Sequence, residues 1–156
     1  MTPFREISDI DMPEIKSLEQ KHTEGASALE LLCFSEPWSA QSLEILCRDN
    51  NFGVVIEEGG EVVAYGGMTC VLDEGSITNI AVHPDYRRRG LGRAILCGLL
   101  DRAQKNGIAA VFLEVRESNS AARSLYLSEG FFECGVRKNF YRRPTENAVQ
   151  MKYEFK

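Results

Sequence analysis

The chain has 156 residues, 44% of them hydrophobic and 26% charged, and a formal net charge of −5. This length suits one domain of about 100–200 residues, and the composition excludes a disordered chain and a disulfide-stapled miniature. A negative net charge disfavours direct nucleic-acid binding, because phosphate contacts need a surplus of Lys and Arg on one face. We therefore expect a single domain over residues 1–156.

Cysteine usage and hydropathy bear on the compartment. The five cysteines are scattered and form no CxxC pair, which predicts reduced, mostly buried thiols and no metal site. The start of the chain lacks the apolar core of a signal peptide, and the longest apolar run, near residues 94–100, is too short to span a bilayer. We expect a cytoplasmic protein with no membrane partner, and nothing in the sequence indicates an oligomeric state.

The first elements predicted along the chain are a strand and a helix. Residues 4–8 predict a short opening strand. Residues 12–21 predict a helix, since Met12, Ile15 and Leu18 recur at helical spacing.

The next segment has a weaker pattern. Within residues 22–36, the stretch 28–34 fits either a helical turn or a lid-like loop. Ser39 is a suitable N-cap for a helix that runs to about Arg48.

The rest of the chain has clearer periodicity. Strands separated by tight turns are predicted first, and helices then alternate with strands, which implies crossover connections. The predicted elements are strands 53–57, 61–71 and 76–82, helix 90–106, strand 110–115, helix 120–128, and strands 131–136 and 149–155. We predict an α/β (α+β) fold, with a mixed, mostly antiparallel sheet of about seven strands flanked by about four helices.

An arginine-rich turn with two glycines, Arg87-Arg88-Arg89-Gly90-Leu91-Gly92-Arg93, follows the strand that ends at Val82 and opens the next helix. The glycines permit a tight turn, and the free N–H groups of a first helical turn bind phosphate well. The arginines add positive charge that suits a pyrophosphate and a ribose phosphate. The alternatives are a solvated turn, or a cluster that binds an acidic partner, because an isolated GxG is a weak signal.

Glu114 interrupts an otherwise apolar strand, residues 111–115, that the crossover pattern predicts to be buried on both faces. A carboxylate there is normally paired, exposed at the strand end, or used in chemistry. An ion pair with Arg116 or another arginine and a catalytic role are equally consistent with the pattern.

Tyr126 shares a helix face with Ala122 and Leu125. By itself, this pattern indicates a core tyrosine whose hydroxyl is satisfied.

The run Asn79-Ile80-Ala81-Val82-His83-Pro84-Asp85-Tyr86-Arg87-Arg88-Arg89-Gly90-Leu91-Gly92 resembles the acetyl-CoA-binding segment of the GNAT superfamily of N-acetyltransferases. The family pattern is Arg/Gln-x-x-Gly-x-Gly/Ala. The resemblance implies that amides of residues 88–93 hold the pyrophosphate and that the edge of strand 80–82 pairs with the pantetheine arm. The coenzyme-binding residues it implies are Ile80, Ala81, Val82, Arg87, Arg88, Arg89, Gly90, Leu91, Gly92, Arg93 and Asn119.

The segments Leu113–Asn119 and Leu125–Phe131 are similar to the branch of that family that acetylates N-terminal alanines of ribosomal proteins. The resemblance implies Glu114 as general base and Tyr126 as general acid. Asn119 matches an asparagine near the coenzyme and is equally suited to cap its helix. The substrate-binding residues it implies are Trp38, Asn79 and Tyr141. The segments that contain Trp38 and Tyr141 are expected to border a peptide groove, and the alternative for Trp38 is a place in the core.

The resemblance implies direct attack of a primary amine on the acetyl-CoA thioester, with no metal. The expected acceptor is a protein N-terminus, and an acidic enzyme suits a basic ribosomal protein. The alternatives are acetylation of lysine side chains or small amines, and a non-catalytic acyl-CoA-binding module, which needs neither Glu114 nor Tyr126. The run 22–36 is longer than the corresponding family loop.

Overall fold

The computed structural model describes residues 13–156, which form a seven-stranded sheet in the order β1-β2-β3-β4-β5-β7-β6. Among these strands, β4 and β5 pair in parallel and all other neighbours are antiparallel. The strands are β1 (Lys16–Ser17), β2 (Phe52–Glu58), β3 (Glu61–Val71), β4 (Glu74–Val82), β5 (Ala110–Arg116), β6 (Phe132–Tyr141) and β7 (Glu146–Glu154). The prediction of a mixed, mostly antiparallel sheet is confirmed.

The described residues also form α1 (Thr23–Cys33), α2 (Ala40–Leu43), α3 (Leu91–Lys105) and α4 (Ser120–Ser128). The Ser39 hydroxyl oxygen accepts the Ser42 N–H at 3.1 Å, so its predicted role as N-cap is confirmed. After α2 the chain continues as a 3₁₀ turn, Glu44–Cys47. The stretch 28–34, which fitted either a helical turn or a lid-like loop, lies almost wholly within the eleven-residue helix α1 and is not a loop.

The predicted helix over residues 12–21 is wrong for the described part of that range. Lys16 and Ser17 pair with Val55 and Val54 of β2, and a 3₁₀ turn follows at Gln20–His22. A spacing of three places two residues on one face of a helix but on opposite faces of a strand. Accordingly, Ile15 packs against the core on one side of the sheet and Leu18 lies in the core on the other. The strand predicted at residues 4–8 lies outside the described residues.

Apolar side chains form one core on each face of the sheet. The larger core packs beneath α3 and α4, and the smaller one packs between the sheet and α1 and α2. The smaller core contains Leu18, Ala26, Leu29, Leu43, Leu46, Val55, Tyr65 and Ala81. Within residues 13–156, no helix is long and apolar enough to cross a membrane.

The cysteines agree with the sequence analysis in one respect and differ in another. All five are free thiols, as predicted. The expectation that most are buried is wrong, because Cys47, Cys97 and Cys134 are exposed and Cys33 and Cys70 are half-buried.

The parallel pair β4 and β5 is short and opens a gap in the sheet. Pairing runs only from Glu74 to Ser76 on β4, against Ala110 to Phe112 on β5. Beyond that point, β4 continues along β3 while β5 continues along β7. The two strands therefore diverge and leave one edge of residues 77–82 without a neighbouring strand.

A β-bulge alters β4 at the start of this gap. Gly66 pairs with Ile80 and Met68 with Ile77, so both Thr78 and Asn79 lie opposite Gly67. The bulge turns the side chains of Thr78 and Asn79 to the same face: Asn79 bonds to α1, and a Cβ on Gly67 would meet both Thr78 Oγ1 and Leu46. Both side chains thus point toward the smaller core.

Substitution of Gly66 tests how closely α3 packs on the sheet. An added Cβ would lie 2.5 Å from Ile95 Cγ2 and 2.9 Å from Leu99 Cδ1, both fully buried. We expect Gly66→Ala to destabilise the protein by about 1–3 kcal/mol in urea unfolding. Gly98→Ala is the control: its nearest contact is 3.1 Å, and alanine favours the helix by about 1 kcal/mol. Equal unfolding midpoints for the two variants would contradict this account of the packing.

Candidate active site

A cavity of about 690 Å³ lies where β4 and β5 diverge. Its wall is formed by the segment after α1, by β4 and β5, by α4 and by the end of β6. It brings together seven of the residues singled out from the sequence: Trp38, Asn79, Ile80, Glu114, Asn119, Tyr126 and Tyr141.

Glu114 reaches this cavity from β5, which is buried on one face only. Leu113 and Val115 point into the larger core, so alternation places Glu114 on the opposite, half-exposed face. The expectation of a strand buried on both faces is wrong. The carboxylate lies 3.5 Å from Arg137 Nε and accepts the Gln150 Nε2–H at 3.3 Å.

The ion-pair interpretation of Glu114 is thus correct in kind, with Arg137 rather than Arg116 as partner. Arg116 instead donates to Glu146 at 3.2 Å and to two backbone carbonyls. The Glu114 side chain is 30% exposed despite its ion pair. A carboxylate that is held by neighbours and still open to a cavity is available as a proton acceptor.

Tyr126 lies on α4 with only 9% of its surface exposed, and it borders the cavity. Its ring packs against Phe131, with centroids 5.7 Å apart. Burial, with a smaller contribution from the charge of Tyr141, raises the pKa of Tyr126 to about 12. The hydroxyl therefore keeps its proton at neutral pH and is a hydrogen-bond donor.

Tyr141 interacts electrostatically with both Glu114 and Tyr126. Burial and the nearby charge of Glu114 raise the pKa of Tyr141 to about 12, and Tyr141 in turn acts on Tyr126. The guanidinium of Arg116 lies 4.6 Å from the Tyr141 ring centroid, which fixes the ring at the cavity wall.

Asn119 caps α4. Its side-chain oxygen accepts the Ala122 N–H at 3.1 Å, so the capping role considered from the sequence is confirmed. Since Asn119 also lines the cavity, the N-terminus of α4 faces the site.

The arginine-rich turn has the backbone geometry expected of an anion site. Gly90 and Arg88 have positive φ angles of 78° and 65°, and the first helical bond of α3 runs from the Ala94 N–H to the Gly90 oxygen. The N–H groups of residues 91–93 precede that bond and point out of the helix end. Gly90 caps α3 without a side chain, unlike Ser39 at α2 and Asn119 at α4, so within residues 13–156 no capping side chain occupies these donors.

The four arginines of this turn are held differently. Arg87 Nε donates to the Val82 oxygen at 3.2 Å, and Arg89 lies over the Tyr86 ring. Arg93 forms an ion pair with Glu129, so its charge is directed toward the end of α4. Among the ion pairs of residues 13–156, none includes Arg87 or Arg88.

The free edge of β4 offers backbone groups to the gap. His83 donates to Val63 and Ala81 pairs with Tyr65, so the alternation of an antiparallel ladder turns the N–H and C=O groups of Ile80 and Val82 away from β3. The Val82 oxygen already accepts from Arg87 and from the Cys33 thiol. Ile80 lines the cavity, whereas Ala81 is buried in the smaller core.

A buried carboxylate that the sequence analysis missed lies behind the cavity wall. Glu30 on α1 is fully buried and accepts hydrogen bonds from the Trp38 N–H at 3.0 Å, the Asn79 Nδ2–H at 2.9 Å and the Tyr65 hydroxyl. Burial raises the pKa of Glu30, although these donors partly oppose the shift. Once the segment is known to be helical, Glu30 stands out as a charge on the apolar face with Ala26 and Leu29.

A second, shallower depression of about 850 Å³ adjoins the cavity at Glu36 and is also lined by Asn139, Arg142, Arg143 and Thr145. It extends from the segment after α1 to the β6–β7 turn, where a peptide groove was expected. Its local charge includes two arginines, which the net charge of the chain did not predict.

Comparison with known proteins identifies the family. Residues 23–131 match the model of the acetyltransferase (GNAT) family. The chain is 40% identical, over 83% of its length and 88% of the relative, to the [ribosomal protein bS18]-alanine N-acetyltransferase of Escherichia coli strain K12. The chain belongs to the GNAT acetyltransferase family.

Solved structures agree with this GNAT assignment. The ribosomal-protein-S18-alanine N-acetyltransferase from E. coli superposes with a TM-score of 0.85 at 38% identity, covering 92% of this chain and 94% of that one. The putative streptothricin acetyltransferase from Bacillus anthracis strain Ames, in complex with acetyl coenzyme A, shares the fold with a TM-score of 0.62 at 20% identity, over 70% and 65% of the chains.

As a GNAT enzyme, the chain is an acyltransferase whose co-substrate is acetyl-CoA. The donors at the α3 N-terminus, the unpaired edge of β4 and the adjacent cavity suit the three parts of such a co-substrate in turn: pyrophosphate, pantetheine arm and thioester.

Substitution of Gly90 tests whether the arginine-rich turn binds acetyl-CoA. An alanine at φ 78° costs roughly 1–2 kcal/mol in strain even though no atom lies within 4 Å of its Cβ. We expect Gly90→Ala to weaken acetyl-CoA binding about tenfold in isothermal titration. Gly107→Ala, at the same φ of 78° and with the same open surroundings, lies at the other end of α3 and serves as the control. Equal affinities in the two variants would remove the turn from the coenzyme site.

Proposed function

We propose that this chain transfers the acetyl group of acetyl-CoA to the N-terminal α-amino group of a ribosomal protein, with the alanine of bS18 as the leading candidate. The observation that carries the proposal is the 40% identity to an enzyme named for that reaction, over most of both chains. The cavity supports it, because it contains the residues expected at the acceptor, base and acid positions.

The coenzyme is placed by backbone groups in this proposal. The N–H groups that open α3 bind the pyrophosphate, with Arg87 and Arg88 adding positive charge. The free edge of β4, through the backbone groups of Ile80 and the N–H of Val82, pairs with the amides of the pantetheine arm. The thioester then lies in the gap between β4 and β5.

Bond formation needs an amine that has lost a proton. An N-terminal amine has a pKa near ~8 and a lysine amine one near ~10.4, so the former gives up its proton more readily at neutral pH. The Glu114 carboxylate accepts this proton, directly or through water. The amine nitrogen then attacks the thioester carbon, and a backbone N–H of β4 stabilises the resulting oxyanion.

Collapse of the tetrahedral intermediate breaks the C–S bond. As the C–S bond breaks, the attacking nitrogen loses its second proton and becomes the neutral amide nitrogen. Tyr126 offers its hydroxyl hydrogen to the departing sulfur, and the proton released by the nitrogen neutralises the thiolate or tyrosinate that remains, so the products are the amide and the free coenzyme thiol. The Tyr126 pKa of about 12 lies above that of an ordinary thiol, near ~8.5, so a complete transfer is uphill. The larger contribution of Tyr126 is therefore a hydrogen bond to the developing thiolate, and the proton gained by Glu114 returns to solvent.

The acceptor is tested by a thiol-release assay with acetyl-CoA. We expect turnover of a peptide with a free N-terminal alanine, and none of a matched peptide whose N-terminus is blocked and which contains one lysine. The reason is the lower pKa of the α-amino group. Turnover of the blocked lysine peptide alone would overturn the proposal in favour of side-chain acetylation.

The catalytic roles are tested by conservative variants. We expect Glu114→Gln to lower kcat by roughly 10²–10⁴-fold, the usual contribution of a general base, with the acetyl-CoA affinity kept. Tyr126→Phe should also lower kcat, and below pH 10 the wild-type rate should show no loss from ionisation of Tyr126, because its pKa is about 12. Gln150→Leu is the control for Glu114, since it removes only a neighbour of the carboxylate. Wild-type kcat in Glu114→Gln would exclude it as the base.

A further inference from the structure

Glu30 is a fully buried carboxylate in an unusual setting. Among the ion pairs of residues 13–156, none includes Glu30. A charge without a cation needs hydrogen-bond donors to be tolerated. Both of its oxygens act as acceptors: Oε1 for the Trp38 N–H, and Oε2 for the Asn79 amide and the Tyr65 hydroxyl.

The donors come from elements that converge on the acceptor side of the cavity. Asn79 lies in the β4 bulge, and Trp38 lies in the segment between α1 and α2; both line the cavity. Trp38 is anchored twice, because its carbonyl also accepts the Ser27 hydroxyl at 3.1 Å. Glu30 thus fixes two neighbouring parts of the wall while remaining out of contact with the cavity.

The hydrogen bond to Glu30 also fixes which end of the Asn79 amide is free. Its nitrogen is engaged behind the wall at 2.9 Å from Glu30 Oε2. The amide oxygen is consequently turned away from the carboxylate, toward the side that lines the cavity. An amide oxygen is an acceptor only, so it suits an N–H group of an incoming amine.

We propose that Glu30 is a positioning residue for the acceptor: it holds the Asn79 amide with its oxygen toward the cavity, where that oxygen accepts a hydrogen bond from the amine to be acetylated. This inference rests on the proposed function and adds to it the residue that orients Asn79 toward the acceptor. A carboxylate is required at Glu30, because each of its oxygens must accept.

Replacement of Glu30 by glutamine reverses one of these contacts. Its amide nitrogen must face either the Trp38 N–H or the Asn79 amide, and both are donors. When the glutamine nitrogen faces Asn79, it attracts the amide oxygen of Asn79. The amide nitrogen of Asn79 then points into the cavity. A donor would then meet the N–H groups of the acceptor.

The experiment compares steady-state constants of the wild type with those of Glu30→Gln, Asn79→Ala and the double variant. We expect each single variant to raise the KM for the acceptor peptide about tenfold, as for loss of one hydrogen bond to a charged or strongly polar group. The KM for acetyl-CoA should stay within about twofold. Because both changes remove the same contact, the double variant should be no worse than the singles.

Tyr65→Phe is the matched control. It removes the Tyr65 hydroxyl, which donates to Glu30 and also contacts the Asn79 amide, but it keeps the hydrogen bonds of Glu30 with Asn79 and Trp38, so a KM close to that of the wild type is expected. A similar rise in Tyr65→Phe would show that the whole buried cluster acts only through stability, and would overturn the proposal.

The remaining outcomes are equally decisive. If Glu30→Gln lowers kcat with an unchanged peptide KM, or if its effects and those of Asn79→Ala multiply, Glu30 does not act through Asn79. If Glu30→Gln does not fold, the peptide KM of Asn79→Ala against that of Tyr65→Phe still decides. The constants are measured with whichever amine the wild type acetylates, so failure of the alanine peptide counts against the proposed acceptor and not against Glu30.

Discussion

The short pairing of β4 with β5 is the constraint on which the rest of the site depends. The two parallel strands share only the stretch from Glu74 to Ser76 and then follow different neighbours. Backbone N–H and C=O groups at an open edge require other partners. The divergence therefore produces two things at once: a strand edge that needs hydrogen bonds, and a cavity beside it that receives the reacting groups.

The bulge in β4 connects this gap to the smaller core. An extra residue opposite Gly67 directs Asn79 toward α1 instead of the opposite face. There it meets Glu30, whose burial without a cation is tolerated only because several donors converge on it. The requirement to satisfy one buried charge thus orders both the bulge and the segment after α1, which together form the acceptor side of the cavity.

Sequence patterns predicted most of the fold and part of the site. From residue 52 onward, strong periodicity and glycine-rich turns placed the strands and helices within a few residues of their observed positions, except that β6 continues to Tyr141 instead of ending at Val136. Glu114, Tyr126 and Asn119 were singled out from motifs and lie together on one cavity, although the roles of Glu114 and Tyr126 remain proposals. The helix predicted over residues 12–21 failed because its spacing also fits a strand that packs on both sides. Helix α1 was ambiguous because no side chain caps its start.

The sequence by itself determined the local features of this protein: the glycine turn that opens α3, the capping residues Ser39 and Asn119, and the carboxylate within β5. These depend on residues close together in the chain, so their physical causes are visible there. Only the tertiary structure decided that Arg137 is the partner of Glu114 and that Glu30 holds Asn79. Glu114 and Arg137 are separated by 23 positions in the chain, and Glu30 and Asn79 by 49. The divergence of β4 from β5 and the packing of α1 on the sheet bring these residues together.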